Sequence, residues 1–267
     1  MKKYLAILRI RFSNTLQYRA AAAAGIATQF AWGFMEILAY SAFYKANPEA
    51  FPMQFSQTVT YIWLQQALLA LFMLWFWDND ITSTITDGGI AYEMVRPLDL
   101  YSRWFCQAAA NRLARTLLRC SPILLVALLL PEPYRLSLPP SLACFGLFIL
   151  SALLGLAVVV AFSMLLYISV FYTLAPTGIR QIVSGISDFF SGAIIPLPFF
   201  PQAIQPVIGI LPFAAMQNTP LRIYSANLAG LEAVTGICLQ LLWLVVLVSL
   251  GRSLMSRTQS AVVVQGG

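Results

Sequence analysis

The sequence predicts an all-α polytopic membrane protein with six transmembrane helices, cytosolic N- and C-termini, an N-terminal amphipathic helix and a re-entrant proline-rich segment before the last span. Three observations carry this expectation. Of 267 residues, 60% are hydrophobic and only 10% charged, whereas a soluble domain carries roughly 25% charged residues; mean hydropathy is +0.78. The basic residues are one-sided: with the N-terminus inside, thirteen of the sixteen Lys and Arg fall in cytosolic segments or span ends, leaving only Lys45, Arg135 and Arg222 outside. Finally, SGAIIPLPFFPQAIQPVIGILPF, Ser191 to Phe213, places Pro196, Pro198, Pro201, Pro206 and Pro212 in apolar sequence. Each proline removes a backbone donor and blocks helix continuation, so the chain should break repeatedly while staying near lipid depth.

In chain order, residues 1–20 read as an interfacial helix. Leu5, Leu8, Phe12 and Leu16 form a stripe, and Lys2, Lys3 and Arg9 suit anionic headgroups. A cytosolic extension of the first span accounts for the same residues, and no cleavable signal peptide is expected. Candidate spans fall at 21–43, 57–76, 112–131, 142–173, 181–199 and 233–251, each near the ~20 residues that cross hydrocarbon. The third carries Arg112, Arg115 and Arg119 on one helical face, placed to snorkel or to meet a partner protein. Leu136 to Ile179 holds no charge and no turn signal before Pro176-Thr177-Gly178, which predicts one long helix, flexed near Gly155.

The largest polar segment, 78–103, holds Asp78, Asp80, Asp87, Glu93 and Asp99 against Arg96 and Arg103. Anionic lipid would repel such a loop, so it reads as a protein-contact surface. Gly88-Gly89 can turn the chain into a short helix with an apolar ridge of Ile90, Met94, Ala91 and Val95, which Pro97 ends. The exterior segments are too small for a separate domain, so 1–267 is expected to be a single transmembrane domain, with 78–103 a cytosolic loop and 192–230 an outer re-entrant region.

Several functions are disfavoured. No histidine occurs, which removes the commonest general base and metal ligand. No GxxxxGK[ST] loop is present, so no ATP site is expected in the chain itself. Cys106, Cys120, Cys144 and Cys238 show neither disulfide nor metal spacing. The net charge of +6 is a topology signal, with no nucleic-acid partner implied. The expectation is therefore no catalytic residues, no metal and no cofactor in this chain.

Two carboxylates sit inside spans, Glu36 and Asp188. An ionised group at mid-membrane costs roughly 2.5–3.5 kcal/mol even on mild insertion scales, so each needs water, a partner or a proton. Both read either as polar elements of a translocation path or as inter-helix contacts, Glu36 with Tyr40 and Asp188 with Ser184. Trp32 and Phe34 read either as an aromatic lining of that path or as packing.

The segment DGGIAYEMVRPLDLYSRWF resembles the permeases of type 2 ABC transporters, in which a glycine opens a short helix that a proline closes nine positions later, here Gly88 and Pro97. The Val95-Arg96-Pro97-Leu98 wording is similar to a six-span subfamily that usually works as two related permeases with one ATPase. Ser191-Gly192, the following prolines and Leu211-Pro212-Phe213 resemble the family's late apolar turn. The resemblance implies a permease subunit of an ATP-driven exporter in a prokaryotic inner (plasma) membrane, and the apolar, aromatic-rich spans suggest a hydrophobic or amphipathic compound as its cargo. The resemblance also implies that 78–103 is the coupling loop, acting through Gly88, Gly89, Glu93, Met94, Arg96 and Pro97, with an outer gate at Gly192, Pro196, Pro198 and Pro201. Implied partners are two copies of a cytosolic P-loop ATPase bearing ATP and magnesium, a second permease, identical or related, and membrane lipid. Many family members carry an acidic residue three positions after the glycine, where this chain has Ala91 and Glu93 is shifted. The competing readings are an ion-gradient-driven transporter or channel with Glu36 and Asp188 as proton carriers, and a non-transporting scaffold.

Overall fold

The computed structural model describes residues 2–15, 19–173 and 176–261, and these are mostly helical with no strand among them. Ala-rich and apolar sequence without an internal proline gives a long helix α2 (Arg19–Ala46), preceded by α1 (Lys2–Thr15). Pro48 stops α2 within two residues, and Asn47 Oδ1 caps the 3₁₀ turn Pro48–Ala50 by accepting from the Ala50 N–H at 3.3 Å. The next helix is interrupted: α3 (Phe55–Ala67) gives way at Leu68 to a single turn, α4 (Leu69–Phe72), and the chain then runs non-helical to Asp78. A continuous helix over 57–76 is thus not what forms.

Asp78 starts α5 (Asn79–Thr86), its carboxylate accepting from the Asp80 N–H at 3.1 Å, and α6 (Ile90–Met94) follows the Gly88-Gly89 turn. Asp99 caps α7 (Leu100–Leu129) by accepting from the Ser102 N–H at 2.8 Å; the helix continues through Pro122. The uncharged run makes one helix, α8 (Leu142–Thr173), and α9 (Pro176–Phe190) ends at Ser191-Gly192 rather than running on to 199. The proline-rich stretch then breaks into a 3₁₀ turn (Leu197–Phe199), α10 (Gln205–Ile210), α11 (Pro212–Met216) and α12 (Asn218–Tyr224), before α13 (Gly230–Ala261). Among the described residues, α8 and α13 are the helices long and apolar enough by themselves to cross a bilayer.

α8 is the centre of the core. It packs against α13, where Gln240 donates to the Ser151 carbonyl at 3.0 Å and to that of Ala215 at 2.8 Å while accepting from Ser151 Oγ at 2.8 Å. In this apolar interior a fully satisfied amide fixes helix register. α2 packs on α3 through Trp63, which takes the edges of Phe30 and Phe34 at 5.9 and 5.1 Å and donates to the Tyr134 carbonyl at 2.9 Å. α1 packs along α7, and Arg11 pairs with Asp80. Ile10 on α1 is exposed; Leu16, and the side chains of Lys2, Leu5 and Leu8, lie outside the described residues, so the stripe expected there is not described.

Candidate functional site

A cavity of about 720 Å³ opens between α2, the α3–α4 break, α7 and the α9 end. α2 contributes Gly25, Trp32, Met35 and Glu36; α3 and α4 contribute Gln65, Gln66 and Leu69; Met73 and Trp75 come from the non-helical stretch; and Asp188, Ala193 and Ile194 close the far side. Trp32, Glu36 and Asp188, singled out from the sequence as path residues, therefore line one space. Phe34 does not: it faces Trp63.

Glu36 accepts from Gln65 Nε2 at 3.4 Å, and Tyr40, one turn on along α2, also stands close enough to interact with it electrostatically. The same amide donates to the Ala193 carbonyl at 2.7 Å, tying α3 to the turn after α9. The Asp188 backbone carbonyl closes that turn by accepting from the Ala193 and Ile194 N–H groups, both at 3.2 Å, while Ser184 Oγ and Asp188 Oδ1 are each buried without a hydrogen-bond partner. Gln29 is 4% exposed and lines the cavity with both amide atoms unsatisfied by the protein. A buried amide in that state costs about 1–3 kcal/mol unless something polar meets it. A mostly apolar, aromatic-edged cavity of this size with a few polar groups has room for a ligand that is part apolar and part hydrogen-bonding.

The turn at the head of the cavity is held by Gly192, whose φ of +83° is a left-handed conformation that glycine enters at no steric cost. A Cβ there would stand 2.6 Å from Tyr61 Oη, and that hydroxyl donates to the Gly192 carbonyl at 2.9 Å. Pro196 leads into the 3₁₀ turn, where the Leu197 N–H reaches Asn218 Oδ1 at 3.4 Å. Pro198 lies within that turn, and Phe199 meets Tyr40 and Phe51 with centroids 4.9 Å apart in each pair. Pro201 follows, exposed. Gly192, Pro196 and Pro198 thus belong to one aromatic-backed hairpin against α2 and α3.

The α5–α6 segment follows the non-helical stretch that lines the cavity at Met73 and Trp75. Gly88, at φ +76°, makes the turn and Gly89 is the N-cap of α6. Ile90 is buried, Glu93 is 11% exposed and pairs with Arg103 of α7, and Arg96 lies 3.9 Å from the same carboxylate. Burial, and secondarily the charge of Arg11, draws the Arg103 pKa below its ordinary value. α6 ends at Met94, three residues before Pro97. The ridge expected from Ile90, Met94, Ala91 and Val95 does not share one face: Ile90 points in, while Tyr92 and Val95 are 77% and 81% exposed and Met94 is partly so.

The sequence reading missed Gln29, Gln65 and Gln66. A signal was present, because Gln29 precedes Glu36 by seven positions and so shares its helical face. It also assigned Arg112, Arg115 and Arg119 to a snorkelling or partner-facing stripe. Arg112 is instead 4% exposed and faces inward. Its Nη1 donates to the Met73 carbonyl at 2.7 Å and lies 3.4 and 3.5 Å from those of Ala70 and Leu71; its Nη2 donates to the Phe76 carbonyl at 3.0 Å. An interrupted helix leaves carbonyls without intrahelical donors, and a guanidinium with five N–H groups can serve several at once. Arg115 and Arg119 each hold the guanidinium 5.8 Å from the Phe76 ring centroid, and Arg119 also reaches the cavity beside Gly25.

Among the described residues no cluster of His, Cys, Asp and Glu could hold a metal. Residues 30–261 match the family model described as ABC-2 family transporter protein. No curated protein matches the chain.

Proposed function

The chain belongs to the ABC-2 transporter family, a family of membrane components that associate with an ATPase subunit, and on that premise we propose that it is the permease subunit of an ATP-driven exporter for an amphipathic or hydrophobic compound. The observation that carries the reading is the 720 Å³ cavity, which brings Glu36, Trp32 and Asp188 together and meets the segment leading into α5 and α6 at Met73 and Trp75. In this reading the whole chain is one transmembrane domain in a prokaryotic inner membrane. It crosses six times with both termini cytosolic, and 192–230 forms a re-entrant outer gate. The one-sided basic residues and the many short helices between Pro196 and Tyr224 support that placement.

The 88–97 segment is the coupling element toward two copies of the ATPase, which supply ATP and magnesium. Gly88, Gly89 and Pro97 frame α6; Glu93 holds it on Arg103; Tyr92, Met94, Val95 and Arg96 face outward to the partner. A second permease, identical or related, completes the path. Closure of the two ATPases pushes on α6, and the cavity changes the side to which it opens.

Affinity purification from the native membrane in mild detergent, with mass spectrometry of the bound proteins, tests this. A stoichiometric P-loop ATPase is expected. Its reproducible absence from intact, monodisperse chain would favour the ion-gradient alternative, with Glu36 and Asp188 as the groups to titrate.

Two variants test the parts. Tyr92→Ala removes the most protruding aromatic of the outward face, and loss of an interface anchor costs about 2 kcal/mol, roughly thirty-fold in ATPase affinity by titration. Unchanged affinity would place docking elsewhere. Glu36→Gln keeps the shape of the side chain but not its charge. Uptake of a panel of amphipathic dyes into inverted vesicles should fall about tenfold or change in order, since losing one charge-assisted hydrogen bond is worth about 1.5–3 kcal/mol. Full uptake of every dye would make Glu36 a packing residue.

A further inference from the structure

The non-helical stretch between Phe72 and Asn79 is the joint between the cavity wall and α5–α6, and side chains from two other helices, α7 and α8, make most of the hydrogen bonds that reach it from outside. Arg112 of α7 donates to the carbonyls of Met73 and Phe76 at 2.7 and 3.0 Å, and its Nη2 lies 3.4 Å from Ser163 Oγ of α8. Two residues on, the Asp78 carboxylate accepts from Gln107 Nε2 at 3.1 Å and Asn111 Nδ2 at 2.5 Å, and the Asp78 N–H meets Tyr167 Oη at 2.9 Å. Asp78 is also the N-cap of α5, while Met73 and Trp75 line the cavity.

We infer that Arg112 is a positioning residue for transport: it makes the 73–78 stretch a stiff joint, so that displacement of α5–α6 moves Met73 and Trp75 in the cavity wall. The inference rests on the permease reading. A stretch of six residues whose internal backbone bonding is one turn, Phe76 N–H to the Met73 carbonyl at 3.3 Å, would absorb a push by changing φ and ψ, and the cavity would not feel it. One guanidinium that grips carbonyls three residues apart removes that freedom. Lysine cannot do the same, because its three N–H groups radiate from one atom and lack the planar reach of Nη1 and Nη2.

The experiment uses the complex with its ATPase, in a background with the cysteines replaced by serine, and one environment-sensitive fluorophore at a time on Val95→Cys or Trp75→Cys. In the otherwise wild-type complex both labels are expected to respond when ADP and vanadate trap the ATPases. With Arg112→Met, the label at position 95 should respond as before, while the nucleotide-driven change in conformer ratio at position 75 falls about tenfold. Arg112→Lys should recover part of it. A full response at position 75 in Arg112→Met overturns the inference and leaves the permease reading intact. So does parallel loss at both positions, which is the signature of a merely structural residue. If Arg112→Met does not assemble, Arg112→Lys decides alone: a selective loss at position 75 supports the joint, and a wild-type response overturns it. If no ATPase accompanies the unmutated chain, or neither label responds in it, the permease reading fails and the inference falls with it.

Discussion

Gly155→Val is expected to lower the thermal midpoint of the detergent-solubilised protein more than any other single methyl-scale change in α8. A Cβ built at Gly155 stands 2.3 Å from the Met216 carbonyl oxygen and 3.1 Å from Phe72 Cε1. The first neighbour is backbone, so no rotamer change can relieve it. Met216 ends α11, whose preceding residue Ala215 accepts from Gln240 at 2.8 Å, so backing away would strain the α8–α13 hydrogen bonds as well. Overpacking a tight core commonly costs 1–3 kcal/mol, and contact with backbone puts this case at about 3 kcal/mol or above, a fall of roughly 6–12 °C for a chain of this size. The control is in the same helix: a Cβ at Gly146 meets nothing within 4 Å. Gly146→Ala should leave the midpoint unchanged or raise it slightly, because alanine is the better helix former by about 1 kcal/mol. Equal midpoints for the two variants would show that α4, α8 and α11 do not converge at Gly155.

That convergence also shows where the sequence was informative and where it was not. α8 occupies 142–173, as expected, because an uncharged run bounded by turn residues needs nothing beyond itself to form a helix. The all-helical class follows from the same composition. The Gly155 flexure looked like a local property of one helix; its stronger consequence, close approach to α11, depends on Met216, far along the chain. The end of the helix at Phe72 has no proline or glycine to announce it, since the carbonyls of Ala70, Leu71, Met73 and Phe76 are served by Arg112 from another helix. Conversely, Gly192 and the prolines after it carry their conformations with them, and the end of α9 there is local chemistry. In the cavity, Glu36 and Asp188 stood out because charge is conspicuous in apolar sequence, whereas Gln29, Gln65 and Gln66 are neutral and were passed over. Their convergence is tertiary, set by the packing of α2 on α3.

Glu93→Gln should loosen α6 without stripping away the surface that the ATPase is proposed to meet. Glu93 and Arg103 side chains are 11% and 12% exposed, and Arg11 adds a further positive charge that disfavours the Arg103 cation. Removing one partner of a pair this sheltered leaves the other without compensation, which costs about 3 kcal/mol, the lower end for buried pairs. The cost falls on a segment anchored by little else, namely the Ile90 side chain and a glycine turn at Gly88 with no neighbour within 4 Å of its added Cβ. Amide hydrogen exchange over 88–98 should therefore accelerate on the order of a hundredfold by local opening, while Tyr92 and Val95 stay available. The double variant Glu93→Gln, Arg103→Gln should exchange more slowly than the single one, because it leaves no uncompensated charge in this sheltered place and the two neutral amides can still bond to each other. If Glu93 instead contacts the ATPase directly, the single variant loses ATPase binding while exchange over 88–98 in the free permease stays unchanged, and the double variant restores nothing. The shifted acidic residue of this loop would then be part of the docking surface, and the Arg103 pair a resting position that it leaves on binding.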